Sequence, residues 1–175
     1  MPDRPVYTER TWFPAWVWVV MWGACLLAIG GMGYGALDEH RPGVLAEDRP
    51  VAWLLGGASI LVLVVPALVT CFLGRLDVQV FPDRVVVAFG PARWIRTSAA
   101  YDEIESVEAV TYRPIRDFGG WGIRMRPGRT AWTVGGNRAV KLSLARGKEL
   151  YLGSNYAQRL AERIKVAKQR HQRDL

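Results

Sequence analysis

Apolar and polar positions follow three different rhythms along the chain. Thr11 to Leu37 and Val51 to Gly74 contain no charged residue. Uncharged apolar runs of this length read as membrane-spanning helices, because a charge at mid-bilayer costs about 2.5–3.5 kcal/mol on insertion scales. The first part of the chain, 1–74, is therefore expected to form a transmembrane hairpin with spans at about 12–36 and 51–74, joined by the polar connector Asp38 to Pro50.

From Arg75 the period changes to two. Leu76, Val78 and Val80 alternate with Asp77 and Gln79, and Pro82-Asp83 marks a turn before Val85, Val87 and Phe89. Further short strands are expected at 93–97, 106–112, 121–126, 130–134, 138–145 and 149–152. Turn-forming groups such as Phe118-Gly119-Gly120, Arg126-Pro127-Gly128 and Gly135-Gly136-Asn137 separate them. The third rhythm is helical: Ala157, Leu160, Ala161, Ile164 and Ala167 share one face of a helix expected over about 155–170. Ser154 or Asn155 can cap it, with Gln158 completing a capping box. The predicted fold class is α+β: a two-helix hairpin, then an antiparallel β-barrel or sandwich over 75–175 closed by a C-terminal helix.

Composition adds sidedness. The chain has 175 residues and a mean hydropathy of +0.05. After residue 74 it carries 19 Lys and Arg against 10 Asp and Glu, or +9, while the preceding part is slightly negative. Positive flanks favour the cytoplasmic side, so the expected location is the inner membrane, multi-pass, with both termini cytoplasmic and the connector outside. Trp12, Trp16 and Trp18 suit an interfacial aromatic belt. A cleaved signal peptide is a poor fit, since its apolar core would be only 7–15 residues long. Cys25 and Cys71 fall at different depths of the hairpin, too far apart for a disulfide.

Several segments resemble the bacterial pleckstrin-homology-like domains of small membrane proteins. They are Val87-Ala88-Phe89-Gly90-Pro91, Tyr101-Asp102-Glu103-Ile104-Glu105-Ser106-Val107, Phe118 to Arg124, and Leu152-Gly153-Ser154-Asn155 leading into the helix. Tyr156 departs from the proline that often follows there. The resemblance implies the barrel-plus-helix fold and a membrane setting, but no agreed chemistry. The basic lipid-clasping pattern of the first hairpin is missing, and only Arg84 stands there.

Candidate chemistry is sparse. Histidine occurs only at 40 and 171, and no His, Cys or carboxylate grouping has metal-ligand spacing. Neither a phosphate loop nor a nucleophile with its base is visible. The expectation is a non-enzyme without cofactor or metal, and without nucleic acid as partner. The candidate contact for anionic lipid headgroups or a protein partner is a basic strip: Arg113, Arg116, Arg124, Arg126 and Arg129. An ordinary solvated face, balanced by Asp117 and Glu108, is the competing account. Lys165, Lys168, Arg170, His171 and Arg173 form a second cluster. Gly31, Gly35, Gly56 and Gly57 are candidate helix-packing positions, within one hairpin or between the chains of a homodimer. The functional expectation is a membrane-anchored interaction module, the lipid bilayer itself being a partner; the alternative is an accessory subunit of a larger membrane complex.

Overall fold

In the computed structural model, residues 4–37 and 49–174 are described, side chains at 32, 35–37, 49–56 and 73 excepted. The expected outer connector with His40 lies outside the described residues, as do the surroundings of Gly35 and Gly56. The chain forms two compact units, Met1–Phe13 with Cys71–Leu175, and Pro14–Thr70.

The β-rich unit is α+β, with two sheets and a C-terminal helix. Sheet A is an antiparallel meander of β1 (Tyr7–Trp12), β2 (Arg75–Val80), β3 (Arg84–Phe89) and β4 (Ile95–Ala100). The other five strands are β5 (Ile104–Thr111), β6 (Gly122–Arg126), β7 (Arg129–Thr133), β8 (Arg138–Leu144) and β9 (Lys148–Gly153). They form sheet B in the order β5-β8-β9-β7-β6. β7 and β9 run parallel, which corrects the expectation of an all-antiparallel barrel. The hairpin β6–β7 enters the sheet beside β9, so β7 meets its neighbour along the same direction.

β1 is not among the expected strands. It pairs with β2 from Tyr7 opposite Val80 to Trp12 opposite Arg75. Thus 14–70 is inserted between two neighbouring strands of one sheet. Trp12 is a strand residue under the Arg75 guanidinium, 5.5 Å from its ring centre, not the first turn of a helix.

The core lies where both sheets and α3 (Ala157–Asp174) converge. Leu76, Val78, Val80, Val140, Leu142, Leu152, Leu160 and Ile164 are at most 1% exposed. Burial at this level contributes about 1.5–3 kcal/mol per large aliphatic side chain. Gly153 fits because a Cβ there would sit 3.0 Å from the Cα of Thr133. The Tyr101 hydroxyl donates to the Phe81 carbonyl at 2.6 Å, and burial, helped by the Asp83 charge, pushes the phenol well above its usual range.

The other unit holds α1 (Ala15–Leu37) and α2 (Arg49–Leu73). A bilayer crossing needs about 20 consecutive apolar residues over ~30 Å of hydrocarbon. Among the described residues, no helix is long and apolar enough to cross a membrane. The expected transmembrane hairpin, the integral-membrane assignment, and the multi-pass inner-membrane location with its sidedness are corrected accordingly. Within this unit Pro66 has no N–H to give the Val62 carbonyl four residues before it, and the Cys25 thiol donates to that carbonyl at 3.3 Å; the Thr70 hydroxyl donates to the Pro66 carbonyl at 2.7 Å.

Candidate functional site

Register fixes which arginines share a face. Arg124 lies opposite Ala131, and Arg126 opposite Arg129. Ala131 lies opposite Tyr151 on β9, and Tyr151 opposite Lys141 on β8. Because side chains alternate along a strand, all of these point to the outer face of sheet B, away from the main core.

Part of that face has its own small apolar cluster. A π-helical turn, Pro114–Phe118, packs beside β6 and places Phe118 in contact with Tyr112 and Tyr151, ring centres 6.0 and 5.0 Å away. Ala131 and Ala139 are buried beneath it. Burial raises the pKa of Tyr112 and Tyr151; the hydrogen bond from Tyr151 to Glu149 at 3.0 Å adds to the latter.

Charges on the face divide into two groups. Arg129 pairs with Glu149 at 2.9 Å and Lys141 with Glu108 at 3.1 Å; the hydrogen bond to Glu108 raises the Lys141 pKa. Such exposed cross-strand pairs contribute only about 0–1 kcal/mol each. Arg124 and Arg126 are exposed on β6, a free edge of the sheet, and Met125 between them is 80% exposed. Arg124 donates through Nε to the Trp121 carbonyl at 3.1 Å, which orients its guanidinium without neutralising it. Asp117 accepts the backbone N–H of Arg113 at 2.8 Å, and Glu108 is engaged by Lys141. Neither carboxylate therefore answers Arg124 or Arg126.

Of the five strip residues, Arg124, Arg126 and Arg129 share the outer face, and Arg113 and Arg116 flank it on or next to the turn packed against β6. Arg129 is already paired. The second basic cluster divides as well. Lys168 donates to the Ile104 carbonyl, and His171 lies 3.7 Å from Asp102 and against the Tyr101 ring. Lys165, Arg170 and Arg173 are exposed. Among the described residues no grouping of His, Cys, Asp or Glu can hold a metal ion. In the helical unit, a Cβ added at Gly31 or Gly57 would meet nothing within 4 Å among the described residues.

Sequence reasoning misses Glu9. This carboxylate is 7% exposed on the core-facing side of β1. Its Oε1 accepts the Ser154 hydroxyl at 2.6 Å and the Asn155 and Tyr156 N–H groups at 3.1 and 3.4 Å. A carboxylate from the first strand thus caps the last helix, where free N–H groups and the helix dipole favour negative charge. Ser154 takes part through its hydroxyl, which accepts from the Tyr156 N–H at 3.0 Å.

Compared with protein-family models, characterised proteins and solved structures, the chain matches none.

Proposed function

We propose that the β-rich unit is a non-catalytic binding module that receives an acidic segment of a protein partner on the outer face of sheet B. Two sheets with a C-terminal helix support a pleckstrin-homology-like reading of the unit; the parallel β7–β9 pair is its departure from that pattern. The observation that carries the function is the exposed edge Arg124-Met125-Arg126, whose two guanidinium groups face no carboxylate among the described residues. Arginine offers a planar fork of donors that matches a carboxylate. Charge on an edge strand also discourages pairing between copies of the same strand, so this surface selects an acidic partner over itself.

The test is binding of a fluorescent Glu-rich peptide to the full-length protein, against a Lys-rich peptide of equal length. Binding that weakens with added salt and falls at least tenfold in Arg124→Glu/Arg126→Glu is expected, since each charge-assisted hydrogen bond contributes about 1.5–3 kcal/mol. Thermal unfolding of the variant stays within about 0.5 kcal/mol of the parent, as for other exposed substitutions. Equal affinity of parent and variant for the Glu-rich peptide overturns the proposal.

A further inference from the structure

The outer face of sheet A holds a second, separate arrangement of arginines. Gln79, Val86 and Ser98 form one cross-strand row there, and Asp77, Ala88 and Arg96 form the next. The β3–β4 connection turns sharply: Gly90 and Arg93 both take left-handed backbone conformations, with φ of 70° and 54°. Arginine is an unfavourable residue for that conformation. From this turn the Arg93 side chain spans the Val86 strand to reach Gln79 on β2, its Nη2 donating to the amide oxygen at 2.5 Å. Arg84, Arg93, Arg96 and Ser98, with Val86 among the apolar residues, line a cleft of about 440 Å³.

The charges in this cleft are poorly answered from within the protein. Arg84 pairs with Asp83 at 2.5 Å. Asp77, the acid in the Arg96 row, is engaged by Arg75 at 2.8 Å. Arg93 bonds a neutral amide, and its Nε is buried without a hydrogen-bond partner. Arg96 has no acidic partner among the described residues.

We propose that this cleft is a binding site for the phosphate group of a small phosphate monoester, held by Arg93 and Arg96 with the Ser98 hydroxyl as a further donor. A phosphate presents three oxygens, enough to accept from the Arg93 guanidinium and from a fork of Arg96 together. The cleft volume exceeds that of bare phosphate and falls in the range of small-molecule sites, so an organic substituent is accommodated over Val86. Arg84, already paired, contributes field more than contact. The strained Arg93 backbone fits this role, since strain of this kind is retained where the surroundings hold a side chain for binding. The site uses arginines other than those of the strip on sheet B and takes a different ligand, although Ser98 also lines a neighbouring cleft with Arg126 and Arg129.

Calorimetric titration of the full-length protein with glycerol phosphate tests it, with inorganic phosphate and glycerol as parallel arms. Glycerol phosphate is expected to bind, glycerol is not, and Arg93→Gly and Arg96→Ala each weaken binding at least about tenfold. Arg84→Ala has a smaller effect. Arg93→Gly suits the φ of 54°, so it removes the guanidinium without adding strain; Arg96→Ala is exposed and checks the same site from another strand. Tighter binding of the ester than of inorganic phosphate supports contacts to the substituent, and equal binding supports a site that reads the phosphate alone. No binding of glycerol phosphate at millimolar concentration, or unchanged affinity in both variants with their folds intact, overturns the proposal.

Discussion

The β-rich unit and the helical unit draw on the same residue types, aliphatic side chains and glycine, and dispose of them in opposite ways. In the first, Leu76, Val80, Leu142 and Leu160 are fully buried, and Gly90 and Gly153 sit where a methyl group has no room. In the second, Val19, Leu26, Leu27, Ile60 and Leu61 are between 61% and 79% exposed. Gly23, Gly30, Gly31, Gly33 and Gly57 there face open space. Apolar composition alone therefore does not make a core. A core forms where the apolar face that each period creates meets the apolar face of another element, as the inner faces of the two sheets and the helical stripe of α3 do. Glycine likewise has no single meaning: on one side it permits close approach, and on the other it is a surface without side chains.

The largest effect expected from this contrast is at Gly90. Its φ is 70°, and a Cβ would come within 2.6 Å of the Phe72 carbonyl oxygen and 2.7 Å of that of Cys71. Both obstacles are backbone, so they cannot swing aside. Gly90→Ala combines left-handed strain with overpacking, together about 2–5 kcal/mol. Chemical denaturation followed by tryptophan fluorescence is expected to show the midpoint shift; a variant as stable as the parent would mean that the β3–β4 turn relaxes freely, and the contrast between tight and open glycines would fail.

Next in size is Glu9→Ala. The substitution leaves the Ser154 hydroxyl and the N–H groups at the start of α3 short of an acceptor in a buried site. The loss is expected to be about 1.5–3 kcal/mol. Hydrogen exchange should quicken most in the first turn of α3 and along β1, since one side chain ties these two together across 145 residues of sequence. Exchange that changes only in β1 would show that Ser154 caps α3 without help.

Glu9 also marks the limit of what the chain discloses as a string. β2, β3, β8 and α3 are legible because their core-facing positions are apolar at a regular period. β1 is not, because the residues it turns inward, after the half-buried Tyr7, are Glu9 and Thr11; pattern reading assigns polar residues to solvent. The parallel β7–β9 pairing is hidden for another reason. Strand periodicity reports which face is buried and carries no information on which neighbour a strand chooses. At the surface, the arginines at 124 and 126 are apparent from alternation, but Asp117 and Glu108 look like their counter-charges until three-dimensional pairing commits each to another donor. Arg93 and Arg96 attract no notice at all in sequence, since only a left-handed turn folds Arg93 back over the sheet.

The smallest expected effect carries the opposite sign. At Gly31 the helix gains from a side chain, because alanine is the better helix former by about 0.5–1 kcal/mol and its methyl group meets nothing within 4 Å. Gly31→Ala is therefore expected to raise, by no more than that amount, the stability of the helical signal in thermal unfolding followed by circular dichroism. Gly31→Leu sharpens the result, for a larger side chain on an open face is tolerated about as well as the smaller one. If alanine is neutral or better while leucine destabilises, a neighbour lies just beyond methyl reach, and the open glycine face is a contact surface between chains. If both are tolerated, the glycines of this unit serve no close packing, and the difference between the two units holds at its weakest point.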